Sequence, residues 1–578
     1  MSNIIFPCDC KFKVVNDDSD KLIPVNVGDN LPLIDISTNP WDTNSIYRSS
    51  LTCDLTWNLF AEGRTKGVFQ LEKNLGQNWS KKLKPDGLND LAALVSLLRP
   101  GCLRAMSGDP PKSMTQRYVD RKHKVEETIF LHKSIEDVLI ATHGVLVYQE
   151  QAMQIAERVA GFNKQEADVL RKAIGKKKAD IMAKVEKEFL DKAHQTGILT
   201  DEEAKEIFGW IRESQKYSFN KSHAVAYGMD SYMTAYIKAH FPIVFFASWI
   251  TGANWKNADK YDEIAELVND AKLHNVTVKT PQLSNISANT CIVKNEYVQF
   301  GLSNIRGIGP ASVTDVEDAV KATVEKLGKH QNNWNWLETL LYFCTQINSK
   351  VVEGLISVGA FDYMGGGSRN YKIFEYNKFS DLTKTEIPWL QQNYPKLKWV
   401  SLKEALIALM PVRQMKNKVQ IGGGGTATKK REDVVRSIIN VIEKPGQSLD
   451  DTITWIATTE ERFLGTPISC TKIDSCLEAE EANSTCSDFV KGNVNKYMVF
   501  AVEVVNVDEK LTKNGKNPGS KMAGLTIRDS TCSISDVVCF PKEWKELSSV
   551  LQPGNTILML GEKTRTGSLS IKKAREIS

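Results

Sequence analysis

Eleven consecutive residues, Tyr217-Ser-Phe-Asn-Lys-Ser-His-Ala-Val-Ala-Tyr227, set a lysine, a histidine and two tyrosines around a predicted helix start. Such a group suits a ligand that is both phosphorylated and aromatic. Asn220 or Ser222 can cap the helix that follows. Lys221 then stands at its N-terminus, where free N–H groups and the helix dipole favour anions. His223 and Tyr227 lie four apart and share one helix face. The competing reading is an ordinary amphipathic helix with a satisfied histidine.

Three further segments carry chemistry of the same sign. Arg171-Lys-Ala-Ile-Gly-Lys-Lys-Lys178 places five cations in eight residues with no acid among them. A solvated helix end is the common meaning of such a run. Here Gly175 is expected to break the helix and let two basic clusters converge on a triphosphate or a DNA backbone. Arg99-Pro-Gly101 sets a guanidinium at a turn, where its fork fits phosphate oxygens, or else caps a helix C-terminus. Ile305-Arg-Gly-Ile-Gly-Pro310 has the glycine spacing of a hairpin whose amides approach a phosphate closely; a plain inter-helix turn is the alternative.

These residues need elements to hold them. At 578 residues the chain exceeds one core and implies three to five domains. A hydrophobic content of 42% and a charged content of 25% are those of a globular protein. The formal charge of +4 leaves nucleic-acid binding to local patches. The eleven cysteines form no C-x-x-C pair; Cys8 and Cys10 form the one tight pair and would need a distant ligand to hold zinc. Scattered cysteines suit a reducing compartment. No signal peptide is read, and the longest apolar run, near Phe241–Ile250, is too short to span a bilayer. A soluble cytoplasmic protein is expected.

Along the chain, residues 1–62 are mixed and rich in Asp, Asn and Pro. From Gly63 to about 280 the apolar spacing is helical, clearest over Leu88–Leu98 and Val147–Val159. A short linker near Pro281 precedes the Gly307/Gly309 turn and a further helical pattern. Gly365–Gly367 and Gly422–Gly425 punctuate the rest, and Thr426–Arg431 reads as an exposed loop. Much of 366–465 yields only short helices. The last segment differs: Tyr497–Val507, Lys521–Arg528, Ile534–Phe540, Thr556–Glu562 and Leu569–Lys573 read as strands. A helix at Lys542–Leu551 falls between the third and fourth. That is the layout of an OB-fold, with a generic small β-barrel as the alternative.

Several segments together resemble one family. Gly67-Val-Phe-Gln-Leu-Glu72, Leu83-Lys-Pro85, Leu98-Arg-Pro-Gly101, Val147-Tyr-Gln-Glu-Gln-Ala-Met-Gln-Ile-Ala156, Ala167–Lys178 and Phe219–Tyr227 occur in the order seen in the replicative DNA polymerase III α subunit of bacteria and their phages. The resemblance covers roughly residues 60 to 360 well and extends more loosely through Phe463-Leu-Gly-Thr-Pro467 to the C-terminal barrel. It implies a multidomain, mainly α fold with a C-terminal β-barrel OB-fold. The implied order is a connector over 1–62, polymerase fingers over 63–280, a helix-hairpin-helix duplex-binding region with a loop-rich extension over 281–465, a linker over 466–493 and the OB-fold over 494–578. By matching position it implies phosphate contacts from Arg99, Arg171, Lys221 and His223, with Tyr227 near the nascent base pair. Lys172, Lys176, Lys177 and Lys178 become DNA-backbone contacts, and Arg306, Gly307 and Gly309 a second one.

The resemblance also implies partners and an ion. Nucleotidyl transfer uses carboxylates that hold two divalent metals, Mg²⁺ in this case. In this family they come from a palm domain with an Asp-x-Asp strand. Nothing before Gly63 is read as that strand: Asp9 and Asp35 lie alone, and Asp17-Asp18 sits in a polar loop. The expectation is one half of a split DNA-directed DNA polymerase, using primer-template DNA and deoxynucleoside triphosphates and completed by a palm-bearing polypeptide. Residues 1–62 are expected to dock on that palm. No catalytic or metal-binding residue is assigned within the chain. A sliding clamp is a further partner, without an assigned peptide; Gln282-Leu283 is only superficially similar to the clamp-binding type. The alternatives are a non-catalytic DNA-binding replication factor of the same descent and a structural scaffold with a solvated basic face.

Overall fold

The computed structural model describes residues 53–578 except 105, 108–110, 177–178, 215–217, 254–259, 414–415, 421–425, 493–496, 513–517 and 565–566. Cys8, Cys10, the connector up to residue 52, Lys177, Lys178, Tyr217 and Gly422–Gly425 therefore lie outside the described residues. What is described divides into two units, one ending at Phe245 and one beginning at Phe246.

The first unit is helical. The elements used below are α1 (Asp54–Ala61), α2 (Leu88–Leu97), α3 (Gln149–Ala160), α4 (Lys164–Lys176), α5 (Ala179–Thr196), α6 (Asp201–Ser214) and α7 (Lys221–His240). Two apolar cores hold them. One gathers Trp57, Phe60, Leu91, Leu94, Tyr118, Tyr148, Phe219 and Tyr232 from α1, α2, α7, the helix Met114–Lys122 and the loops between. The other gathers Ile155, Val159, Phe162, Leu170, Phe189 and Phe208 from α3 to α6. Helix α7 crosses α2 closely: a Cβ on Gly228 would lie 3.2 Å from the Ala92 nitrogen. Glycine permits that approach, and the apolar faces predicted for both helices fill the contact.

The two cores meet at one short backbone pairing. Tyr148 and Phe219 form a parallel bridge, with Phe219 N–H donating to Val147 O at 3.1 Å and Gln149 N–H to Phe219 O at 2.9 Å. Buried Gln151 secures it, accepting from the Val147 and Tyr148 amides and donating to Val138 O and Thr142 Oγ1. The starts of α3 and α7 are thus locked side by side.

One expectation changes here. Helix α4 runs through Gly175 to Lys176 without a break. A glycine inside a helix costs about 1 kcal/mol relative to alanine, which the flanking packing of Leu170, Ala173 and Ile174 offsets.

In the second unit the helix Lys260–Leu273 leads into a three-stranded sheet: β1 (Thr277–Lys279) runs parallel to β3 (Tyr297–Gln299), which pairs antiparallel with β2 (Cys291–Val293). This stretch reads as a linker in sequence because each strand is only three residues long. Helices α8 (Pro310–Leu327), α9 (Ser349–Ser357) and α10 (Arg369–Ser380) follow. Thr426–Lys430, read as loop, is strand β5, paired antiparallel with β4 (Lys416–Gln420) and running into α11 (Arg431–Glu443). Its lysine- and threonine-rich composition carries no apolar alternation, so the strand was hidden from a pattern reading.

The C-terminal strands lie where the sequence places them. Strands β6 (Met498–Leu511), β7 (Lys521–Arg528), β8 (Ser533–Cys539), β9 (Thr556–Lys563) and β10 (Leu569–Glu576) close a barrel in the order β8-β10-β9-β6-β7. The β8–β10 pairing is parallel and the others antiparallel. Helix α12 (Pro541–Leu547) joins the third and fourth strands. This is an OB-type barrel. Ile473, Cys476, Cys486 and Phe489, from the stretch before it, share its core.

Candidate nucleic-acid and nucleotide interface

Five side chains of the first unit form a continuous column. The Arg99 guanidinium carbon lies 3.8 Å from the Phe219 ring centroid. Phe219 is 5.2 Å from His223, His223 is 4.1 Å from Tyr227, and Tyr227 is 5.1 Å from Phe69. Phe219, His223 and Tyr227 are spaced by four, so they continue one face of α7 past its start. Arg99 follows the end of α2, where its carbonyl accepts the Leu103 amide. At the other end, Ser231 Oγ donates to Phe69 O and fixes that residue over the helix.

Of the five, only Phe219 is buried. Tyr227 is half-buried, and Arg99, Lys221 and His223 are exposed. Partial burial of the guanidinium lowers the Arg99 pKa from its ordinary value. A cation and three aromatic faces along one line offer a phosphate contact at one end and a flat apolar surface at the other.

The start of α7 is not open to a foreign anion in the way the sequence suggests. Asn220 Oδ1 caps the helix by accepting from the His223 amide at 2.9 Å. Glu150 supplies the anion itself, accepting from Lys221 N–H at 2.9 Å and from Asn220 Nδ2 at 2.7 Å. The favourable field of the helix end is thus spent on a carboxylate of the same chain. Lys221 Nζ lies 5.9 Å from the Tyr148 ring centroid, so its charge remains beside the column.

Arg171 and Lys172 share one carboxylate: Asp168 receives Arg171 Nη2 at 2.8 Å and Lys172 Nζ at 2.8 Å. Both remain partly exposed, and such a surface pair is worth well under about 1 kcal/mol, so a phosphate can displace it. A Cβ on Gly175 would lie 3.8 Å from Gln149 Nε2, which places the end of α4 beside the start of α3. Lys176 ends that helix.

Arg306, Gly307 and Gly309 lie in the second unit. The Arg306 guanidinium carbon stacks 4.2 Å from the Tyr261 ring centroid, and its amide donates to Phe463 O at 2.7 Å. Gly307 adopts φ +90°, and Gly309 precedes Pro310 at the first position of α8. A Cβ at either glycine would meet nothing within 4 Å. Ile305 and Ile308 are buried on the opposite side of the turn. The glycines therefore present bare backbone outward, as close approach by a phosphate requires. Gln282-Leu283 is engaged internally: Gln282 Nε2 donates to Gly359 O and the Leu283 side chain is buried.

Comparison with known proteins places this geometry. Residues 37–197 match the bacterial DNA polymerase III alpha subunit finger domain. The chain is 29% identical to the DNA polymerase III subunit alpha of Thermus aquaticus over 532 residues, 89% of this chain and 38% of that protein. It is also 29% identical to that of Bacillus subtilis over 519 residues, 89% of this chain and 40% of that protein. Identity to the Aquifex aeolicus subunit is 39% over 312 residues, 53% of this chain and 25% of that protein. The chain is similar to the fingers-to-C-terminal part of bacterial DNA polymerase III α subunits. It spans about a quarter to two fifths of the length of these relatives.

Arg99, Arg171, Lys172 and Lys176 fall inside the finger-domain match of the α-subunit family. Lys221, His223, Tyr227 and Arg306 lie beyond it, yet an alignment covering 89% of the chain includes them. Phe219, Phe69, Glu150 and Asp168 were not singled out from sequence as site residues. The repeat of aromatic or imidazole rings at 219, 223 and 227 was a readable signal for the first. Nothing in the sequence paired Glu150 with Lys221, because the contact spans about seventy residues.

Among the described residues, no group of three or more His, Cys, Asp or Glu side chains is arranged to hold a metal ion. The described residues therefore offer no such donor cluster for Mg²⁺. Nor is any described helix long and apolar enough to cross a membrane.

Proposed function

We propose that this chain supplies the fingers, the duplex-gripping helices and the single-strand-binding barrel of a replicative DNA-directed DNA polymerase. Its reaction is template-directed addition of deoxynucleoside triphosphates. The observation that carries the reading is the Arg99–Phe219–His223–Tyr227 column, set in a chain aligned with α subunits over most of its length. Arg99 and Lys221 orient the triphosphate, assisted by Arg171. His223 hydrogen-bonds a phosphate oxygen, and Tyr227 with Phe69 packs the nascent pair. Lys172 and Lys176 to Lys178 follow the template backbone, and the Gly307/Gly309 turn holds the duplex behind it.

Divalent metal ions would supply charge neutralisation at the transferred phosphoryl group. The carboxylates for them belong, in this reading, to a palm on a companion polypeptide. This chain contributes binding, orientation and exclusion of water around the incoming base. A sliding clamp is a further proposed partner.

The test is reconstitution. The purified chain is mixed with the palm-bearing protein from the same source and assayed for primer extension with magnesium. Extension by the mixture and by neither component alone is expected. Extension by this chain without a companion would remove the split-enzyme claim. Tight primer-template binding without extension in any combination would favour a non-catalytic replication factor, and no DNA binding at all would leave a scaffold.

A further inference from the structure

Two consecutive turns, Thr65–Val68 and Val68–Leu71, carry Phe69 to the end of the column. Each is closed by a backbone bond of 3.0 Å, from the Val68 amide to Thr65 O and from the Leu71 amide to Val68 O. In both, the third residue has a left-handed backbone, the conformation that favours glycine at this place in a turn. The first turn has Gly67 there, at φ +72°. The second has Gln70, at φ +62°. Glutamine rarely adopts that conformation and loses free energy by doing so, whereas glycine would not.

The surroundings hold the turn in place. Val68 and Leu71 are fully buried. Thr65 Oγ1 donates to Leu71 O at 2.8 Å, and Ser231 Oγ donates to Phe69 O at 2.9 Å. Lys238, in the last turn of α7, is fully buried and donates through Nζ to Arg64 O and Lys66 O, both at 2.8 Å. From residue 65 to residue 71 only Phe69 and Gln70 are exposed. A side chain kept outward on a strained backbone, by contacts that fix the backbone from several sides, points to a task for that side chain.

Place and chemistry say which task. The glutamine carboxamide carries two N–H donors beside its acceptor oxygen. Its Cα lies about 3.8 Å from that of Phe69, the ring assigned above to packing the nascent pair, so a base resting there is within its reach. A template-directed site accepts all four base pairs, and one side chain can therefore bond only what they share. Major-groove edges differ from pair to pair, whereas the minor groove offers purine N3 and pyrimidine O2 as acceptors throughout.

We propose that Gln70 is a specificity-determining residue whose amide donates to the minor-groove acceptor of the incoming nucleobase. A mispaired base carries that acceptor to another position and forfeits the bond. This inference rests on the polymerase reading above and adds to it a contact with the base edge. A glutamine that merely completes the turn is the rival.

The experiment measures single-nucleotide insertion opposite thymine by the reconstituted enzyme. It compares dATP with its 3-deaza analogue, in which a C–H group replaces N3. The parent should prefer dATP by about fivefold to tenfold in kcat/KM, the worth of one neutral hydrogen bond. Gln70→Ala and Gln70→Gly should lose that factor with dATP, keep the parent's efficiency with the analogue, and so treat the two alike. Gln70→Gly should unfold at the same urea concentration as the parent or a higher one, because its backbone is relieved. Equal use of the two nucleotides by the parent overturns the inference. So does a preference for dATP that survives in both variants, which would place the donor on another residue. Losses that fall equally on dATP and the analogue assign Gln70 to the turn alone. A parent mixture that extends no primer fails the polymerase reading itself and this inference with it, a result distinct from the other three.

Discussion

Arg99 rests its guanidinium on Phe219, 3.8 Å from the ring centroid, and Phe219 is in turn bonded through its backbone to Val147 and Gln149. The cation offered to a phosphate is therefore oriented by the backbone bridge that locks α3 to α7. Phe219→Leu keeps an apolar side chain in place but removes the ring, worth about 0.5–1 kcal/mol to the cation. It should raise the apparent nucleotide KM of the reconstituted enzyme about threefold to fivefold, with urea stability lowered by no more than about 1.5 kcal/mol. A change in stability with no change in KM would return Phe219 to the core alone.

Tyr227 touches both His223 and Phe69. Tyr227→Ala should raise the nucleotide KM about tenfold, an effect of about 1.4 kcal/mol, because the packing surface for the base is lost. Steady-state kinetics at saturating primer-template check this. A defect seen only in thermal unfolding would argue for an ordinary helix.

Glu150 holds the start of α7 as an internal anion. Glu150→Gln keeps much of the hydrogen bonding and removes the charge beside Lys221. Stability should fall by about 1 kcal/mol, since a charged acceptor at a helix N-terminus is replaced by a neutral one. Triphosphate binding at low salt should tighten severalfold. Weaker binding would mean that Glu150 acts by positioning Lys221.

Asp90 is buried, which alone would raise its pKa, yet His143 and Lys122 outweigh burial and hold it well below its ordinary 3.8. Tyr118 also donates to it at 3.0 Å. A carboxyl that binds its proton less tightly when folded stabilises the fold fully above about pH 4. That contribution drains away as pH falls toward the folded value. Asp90→Asn should cost about 3 kcal/mol at neutral pH, because Lys122 loses its buried partner. It should also flatten the acid limb of stability against pH, measured by urea midpoints. An unchanged acid limb would assign acid unfolding to other carboxylates.

Gly309 has φ −94° and open space where a Cβ would sit. Gly309→Ala should leave stability within about 0.5 kcal/mol, as surface substitutions do. It should weaken duplex binding about threefold to tenfold by holding a phosphate away from the backbone. Gly307→Ala, at φ +90°, should cost stability as well. Equal duplex affinity in Gly309→Ala and the parent would remove the turn from the interface.

The sequence by itself determined the elements whose signal is local. Apolar spacing over Leu88–Leu98 gave a helix ending one residue sooner, and five alternating runs gave the barrel strands within a few residues of their limits. A cap at Asn220 or Ser222 was readable because capping spans three residues, and the structure assigns it to Asn220. The motifs around Gly67, Val147 and Phe219 were also enough to show the resemblance to the α subunits found by comparison. What the tertiary structure decided lies between distant residues. Glu150 filling the helix end, Asp168 holding Arg171 and Lys172, and Phe219 carrying Arg99 are pairings made by packing. A charge shows its type in the sequence; whether it faces a ligand or a neighbour depends on which segments the cores bring together.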